Sequence, residues 1–307
     1  MPRTALQFSL LGPMETRVAG RPVWAGPVKP RIMLAALLLN ADRVVTIESI
    51  SDAIWSGDPP RSAVPNIRTY AHRLRTVLGD TDRIRGESGG YAIRIAPREL
   101  DVSVFNALLD DAECLAGKAD AESTLALLRR ALAIWRGHPL EDLPSRPIWD
   151  TAISELNERR LAATEWRFSL ELRTGAFAHS IVPLRKLIKT HPFRERLWRN
   201  LIIALYGSGH RREALDAFQD MRRLFVDELG VEPGEEIQRT HAAVLSGLRI
   251  MPMMTGAVPE IFADGRSGEP AMTLGELVEA GVIEPAAPDF RGRPRYRVRR
   301  TGSVSGP

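Results

Sequence analysis

The stretch Ala63–Gly79, AVPNIRTYAHRLRTVLG, decides how the first third of the chain is read. Ile67, Ala71, Leu74 and Leu78 recur at steps of three and four, the spacing that puts side chains on one face of a helix. Asn66, Thr69, Tyr70, Arg73 and, further round, His72 and Arg75 point away from that stripe. Pro65 falls in the first turn, where a missing N–H costs no helical bond. Gly79 is the natural C-terminal cap. A helix that buries one face and offers amide, hydroxyl, aromatic and guanidinium groups on the other suits the major groove of duplex DNA. A solvated Arg-rich helix shows the same pattern, so the neighbouring sequence decides between them.

Upstream, Leu6–Leu11 alternates as a strand and stops at Gly12-Pro13. Glu15–Val18 is a second strand, and Gly20-Arg21-Pro22 turns it into a third, Val23-Trp24. Lys29-Pro30-Arg31 introduces the strongly apolar helix Ile32–Asn40. Val44-Val45-Thr46 is extended and leads into the helix Ile47–Trp55, with Thr46 as its N-cap. Asp58-Pro59-Pro60 ends that helix. Downstream of Gly79, Arg83-Ile84-Arg85 and Tyr91–Arg94 flank the glycine-rich turn Gly86–Gly90, a β-hairpin. Sheet, helix, helix, helix, hairpin is the order of a winged helix-turn-helix.

Charge supports a polyanion partner for this part of the chain. Residues 1–98 hold 14 Lys and Arg against 8 Asp and Glu, whereas residues 99–248 hold 20 against 23. A basic first third joined to a mildly acidic middle reads as a polyanion binder attached to something with another task. The single cysteine, Cys114, rules out an intramolecular disulfide and a Cys-based metal site. The six histidines are scattered without metal-ligand spacing. No clustered nucleophile, base or metal-ligand set appears, so no enzyme and no cofactor is expected. The run Met33–Leu39 is too short to span a bilayer, and the N-terminus lacks the features of a signal peptide. A cytoplasmic, nucleoid-associated protein with no membrane partner is the expectation.

From Val102 to Gly247 the pattern is almost entirely helical, broken by Gly and Pro. Gly175 and Gly209 lie 34 residues apart, and each closes one helix and opens another. The pairs Leu170/Ala204, Leu172/Tyr206 and Leu184/Phe218 keep that offset. This is the tetratricopeptide period, with an unrelated helical bundle as the alternative. Trp135, Trp149, Trp166 and Trp198 fall on apolar faces and read as core.

The segment LLNADRVVTIESISDAIWSGDPPRSAVPNIRTYAHRLRTVLG, followed by IRGESGGYAIRI, resembles the OmpR-type DNA-binding domain of Streptomyces antibiotic regulatory proteins. LRRALAIWRGHPLEDL and the long run from His191 to Leu245 resemble the bacterial transcriptional activation domain that follows it in that family. The fold class expected is therefore mainly α: an N-terminal winged helix-turn-helix (α+β) over 1–98, then an α-helical tetratricopeptide-like domain over 99–247. The resemblance implies a transcriptional activator of secondary-metabolite genes that binds direct repeats in double-stranded DNA as a homodimer. It also implies recruitment of RNA polymerase through the sigma factor and the alpha C-terminal domain. An interaction scaffold whose winged helix does not read DNA is the rival. No GxxxxGK[ST] occurs, so an ATP-driven regulator is not expected.

Within this frame Arg73 suits guanine, Asn66 adenine, and Thr69 and Tyr70 a thymine methyl or a phosphate. Lys29, Arg31, His72 and Arg75 are assigned to phosphates, and the wing arginines Arg83, Arg85 and Arg94 to the backbone or minor groove. Tyr70 half-buried against the sheet, His72 as a plain surface residue, and Arg94 and Arg98 as solvation of the domain junction are the blander readings. Beyond a linker assigned to 248–270, the basic extension 271–307 holds a short helix, Thr273–Ala280, and then RGRPRYRVRR. Arg291, Arg293 and Arg295 could form an accessory DNA arm in the manner of an AT-hook. A small helix-and-hairpin module with Tyr296 and Val298 inward, or a solvated basic tail, are the other two readings.

Overall fold

The computed structural model describes residues 5–23, 26–116, 120–248, 283–286 and 295–298. Trp24, the linker residues from 249 to 270, the expected helix at 273–280, and Arg291 and Arg293 lie outside them. The chain forms two compact units, Met1–Phe262 and Ala263–Pro307.

The first unit opens with an antiparallel sheet of β1 (Leu6–Ser9), β2 (Glu15–Val18) and β3 (Arg21–Pro22). Three helices follow, α1 (Val28–Leu39), α2 (Ile47–Trp55) and α3 (Ala63–Leu78), with the short strand β4 (Val45–Thr46) leading into α2. The hairpin β5 (Ile84–Glu87) and β6 (Gly90–Ile93) joins β4 in a second sheet of order β4-β6-β5. This is the winged-helix arrangement. Its details obey local rules: Thr46 accepts the Ser49 N–H at 3.1 Å and so caps α2. The hairpin turn is tighter than the glycine run suggested, because Glu87 already pairs with Gly90. On α3, Ile67, Ala71, Leu74 and Leu78 are each fully buried. The isoleucine and the two leucines each contribute about 1.5–3 kcal/mol relative to exposure, and Ala71 less.

The helical half comprises α4 (Asp101–Ala116), α5 (Ala121–Ala133), α6 (Pro147–Arg173), α7 (Phe177–Thr190), α8 (Glu195–Gly207), α9 (Arg211–Leu229) and α10 (Glu235–Leu245). The 34-residue period is visible in its turns. Gly175 and Gly209 adopt φ of 86° and 84°, values open to glycine and strained for other residues. Ala176 N–H donates to Glu171 O, and His210 N–H donates to Leu205 O, at 3.1 and 2.9 Å. The equivalent Leu170 and Ala204, and Leu184 and Phe218, are buried.

Hydrogen bonds and a shared core cross the divide read at residue 98. Phe8 N–H donates to Glu99 O at 2.7 Å. The Asp101 carboxylate accepts the N–H groups of Leu10 and Leu11 at 2.8–2.9 Å, and that of Val102 at 2.8 Å. Further on, Arg136 N–H donates to Leu11 O, and Met14 N–H donates to Asp142 Oδ1 at 2.7 Å. Trp149, at the start of α6, is 1% exposed and packs in the winged-helix core, where α6 meets α1 and α2, rather than among the later helices. Arg146 donates to Ala53 O of α2 at 2.8 Å. Of the other tryptophans read as core, Trp135 is buried while Trp166 and Trp198 are half-buried.

Among the described residues of the second unit, β7 (Ile283–Ala286) pairs antiparallel with β8 (Arg295–Val298). The backbone of Arg295 lies opposite Ala286. The pairing matches the hairpin reading of the tail.

Two predictions follow from this packing. Asp101→Ala leaves the Leu10 and Leu11 amides without their acceptor and should cost about 1–3 kcal/mol in denaturant unfolding. Residues 5–248 should still unfold in a single transition, whereas independent halves would give two. Glu113 of α4 is pushed up to about 7 by burial and by the neighbouring Asp110 charge, opposed by Arg159. Between the ordinary glutamate range and pH 7 the folded form therefore holds a proton that the unfolded form has lost, so stability falls as pH rises through that window. Glu113→Gln should flatten this slope in unfolding measurements between about pH 5 and pH 8.

Candidate nucleic-acid interface

The outward face of α3 follows from its buried stripe. Arg68, Thr69, His72, Arg73 and Thr76 are exposed, and Arg61 is exposed in the turn before the helix. Thr69 and Thr76 return their hydroxyl protons to Pro65 O and His72 O, at 3.0 and 3.1 Å. Their methyl groups complete a surface with both apolar and polar contacts to offer. Asn66 is half-buried, and its amide donates to Ser62 Oγ at 3.2 Å. Arg73 runs past Gly26, where an added Cβ would stand 3.1 Å from Nε. Gly26 also has φ of 99°, so glycine is required there twice over.

Lys29 is exposed at the start of α1, with its ammonium 5.3 Å from the centre of the Trp55 ring. Arg85 is half-buried on the wing and donates to Asp82 O at 3.2 Å, while Arg94 is exposed. Thus α3, the start of α1 and the wing supply Arg68, Thr69, His72, Arg73, Lys29 and Arg94 as solvent-facing polar groups.

Four of the residues singled out from sequence are held by the protein itself. Arg83 is 5% exposed; its guanidinium donates to both oxygens of Glu99 at 2.7 Å and to Asp80 at 3.1 Å. It is a buried structural ion pair and not a wing contact, because withdrawing it would leave Glu99 unpaired beneath the hairpin. Arg31 pairs with Asp142, across the seam to the helical half, and is not free to clamp a phosphate. Arg75 donates to Ile84 O at 2.8 Å and lies over the Tyr91 ring, tying α3 to the wing. Tyr70 is half-buried and packs against the core, the blander of its two readings.

Arg61 and Arg68 were passed over in the sequence. Their signal was the row 61, 65, 68, 72, 76, which follows helical steps on the side away from Ile67. Among the described residues no group of His, Cys, Asp or Glu is placed to hold a metal ion, and no helix is long and apolar enough to cross a membrane.

Comparison with known proteins places this geometry. The family model of the bacterial transcriptional activator domain matches residues 100–245. The chain is 39% identical over 292 residues to the regulatory protein AfsR of Streptomyces griseus, covering 95% of this chain and 28% of AfsR. It therefore spans little more than a quarter of that relative. With the regulatory protein DnrI of Streptomyces peucetius it shares 32% identity over 250 residues, covering 78% of this chain and 92% of DnrI. The solved structure of Mycobacterium tuberculosis EmbR in complex with a low-affinity phosphopeptide superposes with a TM-score of 0.79 at 26% identity. That match covers 96% of this chain and 78% of EmbR. A helical domain of this kind behind a winged helix, and a relative matched over nearly its full length, lead to one conclusion: the chain belongs to the Streptomyces antibiotic regulatory protein family of transcriptional regulators.

Proposed function

We propose that this regulator is a sequence-specific DNA-binding activator of a biosynthetic gene cluster. It binds direct repeats upstream of promoters, as a homodimer, with α3 in the major groove and the wing on the flanking backbone. The helical half recruits RNA polymerase through the sigma factor and the alpha C-terminal domain. The observation that carries the reading is the division of α3 into a fully buried stripe and an exposed row of Arg68, Thr69, His72 and Arg73. Arg73 is the base-reading guanidinium, with a fork matched to guanine O6 and N7. Asn66 and Thr69 read beside it. Lys29, Arg68 and His72 meet phosphates, which position the helix without selecting sequence. The family and the basic first 98 residues support this assignment, and the acidic middle supports a separate task for the helical half.

An operator selected from a random duplex pool provides the test, using the whole chain because its halves share a core. In gel shifts, Arg73→Ala should reduce discrimination between operator and mutated operator by about 1–3 kcal/mol. Lys29→Ala and Arg68→Ala should weaken operator and random duplex alike, each lowering the slope of log K against log salt by about 1. A chain that binds duplex DNA with neither sequence preference nor salt dependence would be an interaction scaffold instead.

A further inference from the structure

A cleft of about 330 Å3 opens between the C-terminal end of α1, the start of α4 and the middle of α6. This volume suits a small organic molecule. The apolar lining is Leu38, Leu39, Val102 and Leu156. Leu39 and Val102 each pack against both the winged-helix core and the core of the first helical layers, so the cleft sits on the seam between the two halves.

Two charged residues of the lining are unspent. Arg43, on the loop after α1, and Glu155, on α6, both border the cleft and both are exposed. Neither side chain makes an ion pair or hydrogen bond with another described residue, and they do not pair with each other. The second guanidinium at the site, Arg159, already faces Asp110 at 3.8 Å.

A cation and an anion that leave each other unneutralised, above an apolar floor, together describe the complement of a zwitterion with an apolar body. We infer that the cleft binds a free apolar α-amino acid. Its carboxylate meets Arg43, its ammonium meets Glu155, and its side chain covers Leu38, Leu39, Val102 and Leu156. A simple carboxylic acid would leave Glu155 unmatched, and a simple amine would leave Arg43 unmatched. The bound molecule would bridge α4 and α6 to the loop that carries Arg43. That loop is itself fixed to the wing, since Asp42 N–H donates to Ile93 O at 2.9 Å.

The test is calorimetric titration of the full chain with L-phenylalanine and L-leucine, each beside its amide and its N-acetyl derivative. At least one of the two amino acids should bind saturably at one site per chain, and its two singly charged derivatives should bind about 10-fold more weakly or worse. Arg43→Gln should abolish the preference over the amide, and Glu155→Gln the preference over the N-acetyl derivative. Both substitutions are at exposed positions, and circular dichroism checks that the fold is kept. Absence of saturable heat with both amino acids overturns the inference. So does equal affinity for the derivatives, or unchanged preference in the two variants.

Discussion

The Asp101 carboxylate is the contact on which the rest of the molecule depends. It stands at the first residue of α4 and accepts the amides of Leu10 and Leu11, which have just left β1. Burial pushes its carboxyl up, and the amides of Leu11, Leu10 and Val102 with the Arg136 charge pull it back. A buried carboxylate is tolerable only with such donors around it. The consequence is geometric. The chain between Leu10 and Glu15 is pinned to α4 on one side and to the segment Arg136–Asp142 on the other, and Arg136 reaches Glu15 Oε1 at 2.8 Å. The winged helix is thus built onto the helical half and does not hang from it.

That attachment has an effect on α3. Its buried stripe packs on α1 and α2, and α1 is held at Arg31 by Asp142 while α2 is held at Ala53 by Arg146. Arg75 fixes the other end of α3 to the wing. With these ties in place the face carrying Arg68, Thr69, His72 and Arg73 has a set direction relative to the stacked helices. In the proposed activity this rigidity matters: the position of the operator would dictate where the helical half stands, with no loose hinge to average it out. An effector lodged at the seam would act on the same junction.

Local regularity in the sequence carried most of the fold. The apolar positions of α3, the Thr46 cap and the glycine turns 34 residues apart all depend on neighbours within a turn or two, and each is present as read. What the sequence concealed were partners far along the chain. Arg31 meets a carboxylate 111 positions away, and Arg83 one that is 16 away across the hairpin. An arginine in a basic segment gives no local sign of which acid will neutralise it, so both were assigned to DNA. Trp149 was legible as core but not as core of the other half. Arg68 was overlooked for the opposite reason: it adjoins Ile67 in sequence, yet the helix turns it outward.

The central claim concerns where that outward row lies when the protein is bound. A cleavage reagent such as iron-EDTA, attached through Thr69→Cys in a Cys114→Ser background, would report it directly. The account predicts strand scission confined to a few base pairs of each direct repeat, in the pattern of a major-groove source. Equal or absent scission from position 69, compared with the same reagent attached at Ser246→Cys beyond the last helix, would contradict it.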